Sequence, residues 1–507
     1  MEMRCEQRVL DNGLSVLVHE DHGCPLVAVN LWYHVGSKNE LPGRTGLAHL
    51  FEHLMFEGSA HHDSGYFQPL QAAGAVLNGS TNADRTNYWE VVPTGAVELA
   101  LWLESDRMGY LLPALTEAKF ANQRDVVLNE RRQNYENRPY GRAAMAILAA
   151  LYPPDHPYHW LTIGSADDLR ATTLDEVKAF FARHYHPGNA SLAIAGAIEP
   201  ARAFALAEHY FNEIPAGRSR QPVSPPAFAP VSSRLVLEDR VELPRLYLSW
   251  HGPRMFAPGD AEVDLVADLL GNGKTSRLYK TLVYERRLAT EVAAFQQSRE
   301  LAGFFQIVAT AAPGHTLDEI ETVIVDEIGR LAAEGPTLDE LARVKAQAEA
   351  QFVYRLQTVG GFGGKSDQLN AYNIFVGDPA FFERDLARYL TVTPPEVAAA
   401  TARYLQSAQR VSLSVVPTGH HLLALAESTL AVVHGRGGPL AAACRDRRRD
   451  VRLPDHPQVA PCQRPGRVER PARCPAGRDD GVAGARRLVG RHGGTARAGL
   501  AHGRHAR

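Results

Sequence analysis

The sequence predicts an α+β protein that is built from two homologous domains. Its 507 residues are too many for a single hydrophobic core. Strand-like runs alternate with helical stretches, and the second half repeats the order of the first. "LDEVKAFFARHYHPGNASLAIAG" resembles "PPEVAAATARYLQSAQRVSLSVV", so that Ser191 matches Ser412. A spacing of about 220 residues is too long for a solenoid, and a duplicated domain is the simpler explanation.

The first domain is expected over residues 1–215. Strands are predicted at "LSVLVHE", "PLVAVNLWYHVG", "ASLAIAGAI" and within "AVLNGSTNADRTNYWEVVP". "GRTGLAHLFEHLMFEGS" has helical spacing, with Thr45 as the expected N-cap and Gly58 as the expected end. A second long helix is predicted at "FANQRDVVLNERRQNYENR", ended by Pro139 and Gly141.

The rest of the chain divides by composition. Residues 216–233, "AGRSRQPVSPPAFAPVSS", predict a linker, and residues 234–430 predict the second domain. Residues 435–507 are rich in Arg, Gly, Ala and Pro, so we expect a disordered tail. The tail is either an arginine-rich nucleic-acid-binding arm or the out-of-frame translation of a GC-rich gene. Its composition favours the frameshift, because its common residues have GC-rich codons.

Composition excludes several classes of protein. With 45% hydrophobic residues, 22% charged residues and a net charge of -3, neither nucleic acid nor a membrane is an expected partner. No run approaches about 18 apolar residues. The N-terminus lacks a signal peptide, which predicts a cytoplasmic chain, or a periplasmic one if translation starts further upstream. Only Cys5 and Cys24 lie outside the tail, so neither a disulfide framework nor a cysteine zinc site is expected.

The stretch "HLFEHLMFEGS" carries the strongest chemical signal. On a helix, His49 and His53 share one face one turn apart, and Glu52 lies beside them. Zinc prefers imidazole and carboxylate ligands, and a catalytic site keeps its fourth position for water. This pattern predicts a zinc site with Glu52 as the general base and one protein ligand still to be found. The structural alternative is a helix whose histidines lie at the edge of a core.

The motif His-x-x-Glu-His and its flanks resemble the zinc helix of the pitrilysin/insulinase family of metallopeptidases, which includes mitochondrial processing peptidase. The resemblance covers roughly residues 7–430. It implies the processing-peptidase-like fold, in which helices pack on one face of a mixed or antiparallel sheet. It also implies one zinc ion per chain, with a glutamate on a second helix as the third ligand. The family spacing of about 76 residues after His53 places this ligand at Glu130.

The resemblance also implies how a substrate binds. "GAVLNGSTNADRTNYWEVVP" is similar to the family's edge strand, whose main chain pairs with an extended peptide. The matching residues are Asn78, Gly79 and Thr81, with Gly79 in place of the usual alanine. A further family glutamate is replaced by Gln123, which keeps hydrogen bonding but loses charge.

The second domain resembles the family's non-catalytic repeat. Asp264 and Asp268 stand where the first domain has histidines, so no zinc is expected there. In the family, a later repeat supplies an arginine and a tyrosine that hold the substrate. The nearest match has Val283 and Thr290 at those positions. We therefore expect a missing second pair of repeats, either in a longer intact chain or in a partner subunit.

The sequence thus predicts a zinc endopeptidase that hydrolyses peptides or unfolded polypeptide segments. One alternative is a non-catalytic partner subunit, although such subunits typically lose part of the motif and this chain keeps it. Another is a lyase acting on S-ribosylhomocysteine, which has the same motif order but is far shorter and uses a catalytic cysteine. A third is a protein that only binds metal, and a peptide hydrolysis assay separates it from the first.

Overall fold

The computed structural model describes residues 3–218, 221–405 and 409–431. The tail predicted over residues 435–507 lies outside these residues. Within them, none of the helices combines the length and the apolar character that crossing a bilayer requires.

The first six strands form one mixed sheet. They are β1 Glu6–Val9, β2 Ser15–Glu20, β3 Leu26–Tyr33, β4 Val76–Thr81, β5 Thr86–Pro93 and β6 Ala190–Gly196. The strand order is β1-β2-β6-β3-β5-β4. All neighbours are antiparallel except β2 and β6, which run parallel. The strand β4 is therefore at an edge of this sheet.

The next six strands form a second sheet. They are β7 Ser233–Asp239, β8 Arg245–Gly252, β9 Ala289–Gln297, β10 Gly303–Ala311, β11 Val411–Pro417 and β12 Thr429–Leu430. Their order is β12-β7-β11-β8-β10-β9. Five of them repeat the topology of the first sheet, whereas the edge strand β12 comes from the end of this half and pairs parallel with β7. Ser191 on β6 and Ser412 on β11 occupy the third strand of their sheets, as the sequence match predicts. The prediction of two homologous α+β domains is confirmed.

Helices separate the strands in both halves. The first half contains α1 Leu47–Leu54, α2 Phe67–Ala72, α3 Val97–Ala114, α4 Glu117–Arg131, α5 Ala143–Leu151, α6 Ala166–Ala171, α7 Leu174–His184 and α8 Pro200–Phe211. The second half contains α9 Asp260–Gly271, α10 Leu317–Glu334, α11 Leu338–Arg355, α12 Lys365–Phe375, α13 Phe382–Leu390 and α14 Pro394–Tyr404. The duplicated helices α7 and α14 both begin with a capping box, Thr173 with Glu176 and Thr393 with Glu396.

The two halves exchange one helix each. One face of each sheet is covered by helices from the same half of the chain. On the other face, α5 of the first half packs on β8 and β11, and α12 of the second half packs on β3 and β6. The sheets are thus covered on both faces, which explains why all seven residues of β6 are buried. This exchange joins the halves through an apolar cluster that contains Leu369 of α12 and Leu17 of β2. Nothing in the sequence indicates this exchange.

Both predicted boundaries of α1 are wrong. Gly46, at φ 95°, is the N-cap of α1, and the Thr45 hydroxyl instead donates to Asp168 at 2.7 Å. The Glu40 carboxylate accepts hydrogen bonds from the N–H groups of Gly46 and Ala48, both at 2.9 Å. Glu40 thus caps the start of α1, as was expected of Thr45. The helix ends at Leu54, before Gly58. A π-helical turn, Arg132–Glu136, ends the α4 segment before Pro139 is reached.

Candidate metal centre

Helix α1 brings both histidines of the motif to one face. The ring centroids of His49 and His53 are 5.0 Å apart. Leu50, Phe51 and Leu54 are fully buried on the other side of the helix. This apolar stripe fixes the rotation of α1 and leaves the His53 side chain 24% exposed, against 8% for His49.

Glu130 in the last turn of α4 lies next to the two rings. Its Oε2 atom is 3.7 Å from Nε2 of His49 and 3.4 Å from Nε2 of His53. Its other oxygen, Oε1, accepts a hydrogen bond from Asn134 at 3.3 Å. Asn134 belongs to the π-helical turn, a local irregularity that is frequent at functional sites.

These three donors fit a zinc ion. One atom from each residue lies within 4.8 Å of the others, and the set offers two imidazole nitrogens and one carboxylate oxygen. Tetrahedral zinc with bonds of about 2.0–2.1 Å separates its ligand atoms by roughly 3.3 Å. The observed separations of 3.4 and 3.7 Å therefore need only small adjustments. The other such group among the described residues, Glu20, His22 and Glu199, is exposed.

The loop around Gly164 ties α4 to the start of α1. Arg131, which follows Glu130, is buried and donates from its guanidinium to the Gly164 carbonyl. Gly164 in turn packs against Gly46, and a Cβ atom there would lie 2.4 Å from the Gly46 Cα atom. This contact explains how a residue far along the chain reaches the histidines.

Glu52 is half-buried on α1 beside His53. Burial opposes the charged form of His53, but hydrogen bonding to Glu130 and the negative charge of Glu52 outweigh it and raise the His53 pKa. The Arg85 side chain also lies near Glu52, and burial lowers its pKa despite the nearby charges of Asp367 and Glu52. Arg85 directly precedes β5, and no motif in the sequence marks it as a residue of this site.

Gln123, which replaces a glutamate of the family, holds the carboxylate of Glu57 near the site. Its side-chain amide donates to Glu57 and is also hydrogen-bonded to His53. Glu57 therefore supplies negative charge near the position where the family has it. Its place four residues after His53 is the only signal in the sequence that could have indicated this role.

The predicted substrate-binding residues all lie on β4. Within the described part of the chain, β4 pairs with β5 and has no strand on its other side. The Asn78 side chain accepts from the Gly79 N–H at 2.8 Å, and the Thr81 hydroxyl contacts Thr86. A Cβ atom at Gly79 would lie 3.0 Å from the Tyr88 ring and 3.1 Å from the Phe56 ring. The glycine thus accommodates aromatic packing behind the strand.

The equivalent positions of the second half have structural contacts. Asp264 on α9 accepts from the Tyr389 hydroxyl at 2.7 Å, and Asp268 accepts from the Asn272 amide at 2.8 Å. Val283 packs against the core of this half, and the Thr290 hydroxyl donates to the Thr310 carbonyl.

Burial raises the pKa of the Cys5 thiol to about 11, so the thiol stays protonated near neutral pH, which argues against a cysteine-dependent lyase.

Two family profiles match the chain. The profile described as Insulinase (Peptidase family M16) matches residues 15–156, and the one described as Peptidase M16 inactive domain matches residues 171–348. The zinc protease PqqE of Helicobacter pylori is 30% identical over 369 residues, which is 71% of this chain and 82% of that protein. An uncharacterized zinc protease of Streptomyces coelicolor is 25% identical, over 80% of this chain and 88% of its own length.

Solved structures agree with these matches. A protease from Helicobacter pylori superimposes with a TM-score of 0.75 at 26% identity, covering 82% of this chain and all of the other. The first half of the periplasmic protease PqqL from Escherichia coli has the same fold, with a TM-score of 0.67 at 18% identity over 82% of this chain and 92% of that half. The chain belongs to the insulinase, or M16, family of peptidases, as its zinc-helix motif predicts.

Proposed function

We propose that this protein is a zinc-dependent endopeptidase that cleaves peptides or unfolded polypeptide segments. The observation that carries the proposal is the convergence of His49, His53 and Glu130 beside Glu52. Relatives named zinc proteases support the same class of enzyme. All four positions are occupied by the residue types that the chemistry requires, which disfavours the non-catalytic alternative.

His49, His53 and Glu130 would hold one zinc ion per chain. When bound, zinc lowers the pKa of a water molecule and polarises a carbonyl group. Glu52 accepts the proton of the attacking water and returns it to the leaving amine, as general base and then as general acid. Its half-buried position beside the ligands suits this role, because partial exclusion of water strengthens electrostatic interactions.

The substrate is expected to bind as an extra strand on β4. The main chain at Asn78, Gly79 and Thr81 is at the edge of the sheet, and an extended peptide can pair with it without sequence specificity. Helix α1 packs against β4. A peptide on this edge therefore runs past the helix that carries Glu52.

The site needs groups from a second pair of repeats. Val283 and Thr290 cannot supply the arginine and tyrosine donors of the family, and the loss of one oxyanion donor typically costs about 100- to 1,000-fold in rate. We propose that a partner subunit, or a continuation of the intact chain, supplies them. This chain matches the whole of the Helicobacter pylori protease but 47% of the complete PqqL. Chains of about this length and of about twice this length therefore both occur among similar structures.

A mass-spectrometric cleavage assay tests the proposed activity. The purified chain is incubated with an unfolded polypeptide, with a chelator, and with the chelator followed by stoichiometric zinc. We expect internal cleavage that the chelator abolishes and zinc restores. Cleavage that persists in the chelated, metal-free protein would refute the proposal.

A second assay tests the need for a partner. The rate of the isolated chain is compared with its rate after adding a protein that carries a second pair of homologous repeats. We expect slow cleavage by the chain alone and a large increase on mixing. Full turnover by a monomer, unchanged by the addition, would show that the chain needs no second pair of repeats.

A further inference from the structure

A glycine-rich loop of the second half lies on the first sheet next to β4. Residues 358–364 read TVGGFGG and lead directly into α12. A Cβ atom at Gly360 would lie 2.6 Å from the side chains of both Ala28 on β3 and Val91 on β5. The loop therefore touches the sheet closely, and only glycine permits this approach at that position.

The loop has a fixed shape. The N–H groups of Lys365 and Ser366 donate to the carbonyls of Thr358 and Val359, both at 3.0 Å. The Asp367 carboxylate accepts from the Gly363 N–H at 2.8 Å, and its other oxygen accepts from the Trp32 indole at 2.9 Å. Asp367 thus attaches the loop to the sheet of the first half.

At its tip the loop presents Phe362 to solvent. Gly361 and Gly363 on either side have φ values of 85° and 76°, a conformation that side chains rarely adopt. The Phe362 ring contacts the Trp89 ring edge to face, with centroids 5.4 Å apart, yet 48% of Phe362 remains exposed. A rigid loop that holds an aromatic ring in water is costly unless something covers the ring.

The exposed ring lies near the free edge of β4. Trp89 on β5 is paired with Asn78 on β4, so the ring contact is one strand inside the edge. Val76, two residues from Asn78 and on the same face, is 64% exposed. A peptide paired with β4 would lie about 4.8 Å beyond it, and every second side chain would stand on this face.

We propose that Phe362 and Val76 form an apolar subsite, with the buried Trp89 ring supporting Phe362, for one substrate side chain, aromatic or large and aliphatic, of a peptide paired with β4. The subsite deepens the proposed function and rests on it. The glycine-rich loop of the second half would then select substrates for a zinc centre in the first half.

The test uses peptides that differ at a single position, carrying Phe, Leu, Ala or Asp, with that position moved along the peptide. Wild-type protein is expected to cleave the Phe peptide about 3- to 10-fold faster than the Ala peptide at one position, judged by kcat/KM. Phe362→Ala should reduce this ratio to about 1, mainly through a fall in kcat/KM for the Phe peptide. Phe362→Tyr should keep the preference. Leu422→Ala, which removes an apolar side chain that is 99% exposed elsewhere in the second half, is the matched control.

A binding experiment separates failure of the subsite from failure of the proposed function. Fluorescence anisotropy measures the affinity of the Phe and Ala peptides for zinc-loaded Glu52→Gln, with and without Phe362→Ala. We expect the Phe peptide alone to lose about 3- to 10-fold in affinity. Equal weakening of both peptides, or an unchanged ratio in both assays, would overturn the subsite. Peptides that bind with this preference but are never cleaved would instead count against the proposed function.

Discussion

The carboxylate of Glu130 lies 3.4 Å from the His53 imidazole, although about 76 residues separate them in the chain. Two local devices produce this contact. Glu40 holds the start of α1, and Arg131 attaches the end of α4 to the loop that packs on Gly46. Contacts that lie outside the motif therefore fix the positions of the three proposed ligands.

The first prediction concerns metal content. His49→Ala, His53→Ala and Glu130→Ala should each weaken zinc binding by more than about 100-fold, because each removes one of three protein ligands. The measurement is zinc per chain after dialysis against a competing chelator, with circular dichroism to show that the fold is retained. His22→Ala, from the exposed group near Glu20, should keep full occupancy. A zinc content that is unchanged in His53→Ala, or lost in His22→Ala, would place the metal elsewhere.

Much of this centre could be predicted because its signals are local. His49, Glu52 and His53 fall within about one helical turn, where sequence spacing translates directly into geometry. Glu130 needed the family spacing, since nothing local marks one glutamate among several on α4. The contributions of Glu57 and Arg85 could not be predicted, because they depend on how α1, α4 and β5 pack together.

The second prediction concerns Glu40. Its carboxylate is buried and accepts from two backbone N–H groups at the start of α1 and from the Trp160 indole at 3.1 Å. Glu40→Gln leaves one acceptor oxygen and should lower the free energy of unfolding by about 1–3 kcal/mol. Urea denaturation measures the change. Glu208→Gln, on the exposed side of α8, should stay within about 0.5 kcal/mol. Equal stability of the two variants would show that Glu40 does not hold the helix.

The third prediction concerns acid stability. Burial lowers the pKa of His156 to about 4 and that of His251 to about 4, and their charged or titratable neighbours include Asp155, His159 and Arg299. In the unfolded chain these histidines become protonated as the pH falls below their ordinary pKa of 6.5, whereas in the folded chain they stay neutral until about pH 4. Stability should therefore be complete above pH 6.5 and fall steadily towards pH 4.

Melting temperatures at pH 7 and pH 5 test this prediction. His251→Phe removes one of the two groups within an aromatic cluster that includes Phe228, so it should lose less stability between the two pH values than the wild type. His209→Gln, on the surface of α8, should behave like the wild type. A pH dependence that His251→Phe leaves unchanged would contradict the assignment.

The two sheets could be predicted from the sequence, but the exchange of helices between the halves and the cap of α1 could not. Both sheets could be predicted, because the alternation of apolar and polar residues marks the strands and the second half repeats the order of elements of the first. The exchange of α5 and α12 was not predictable, since an apolar helix face does not specify which of two similar sheets it will cover. The cap of α1 was missed for a related reason. The Thr45 hydroxyl bonds Asp168, a tertiary contact that overrides its local preference.

The most direct test of the account compares wild type and Glu52→Gln, both shown to carry one zinc ion per chain, in a peptide cleavage assay with any required partner present. An amide cannot accept the proton of water, and the loss of a general base typically costs about 100- to 10,000-fold in rate. We therefore predict that Glu52→Gln keeps zinc, fold and peptide binding but loses hydrolysis by that factor. Wild-type turnover by the zinc-loaded Glu52→Gln protein would contradict the account.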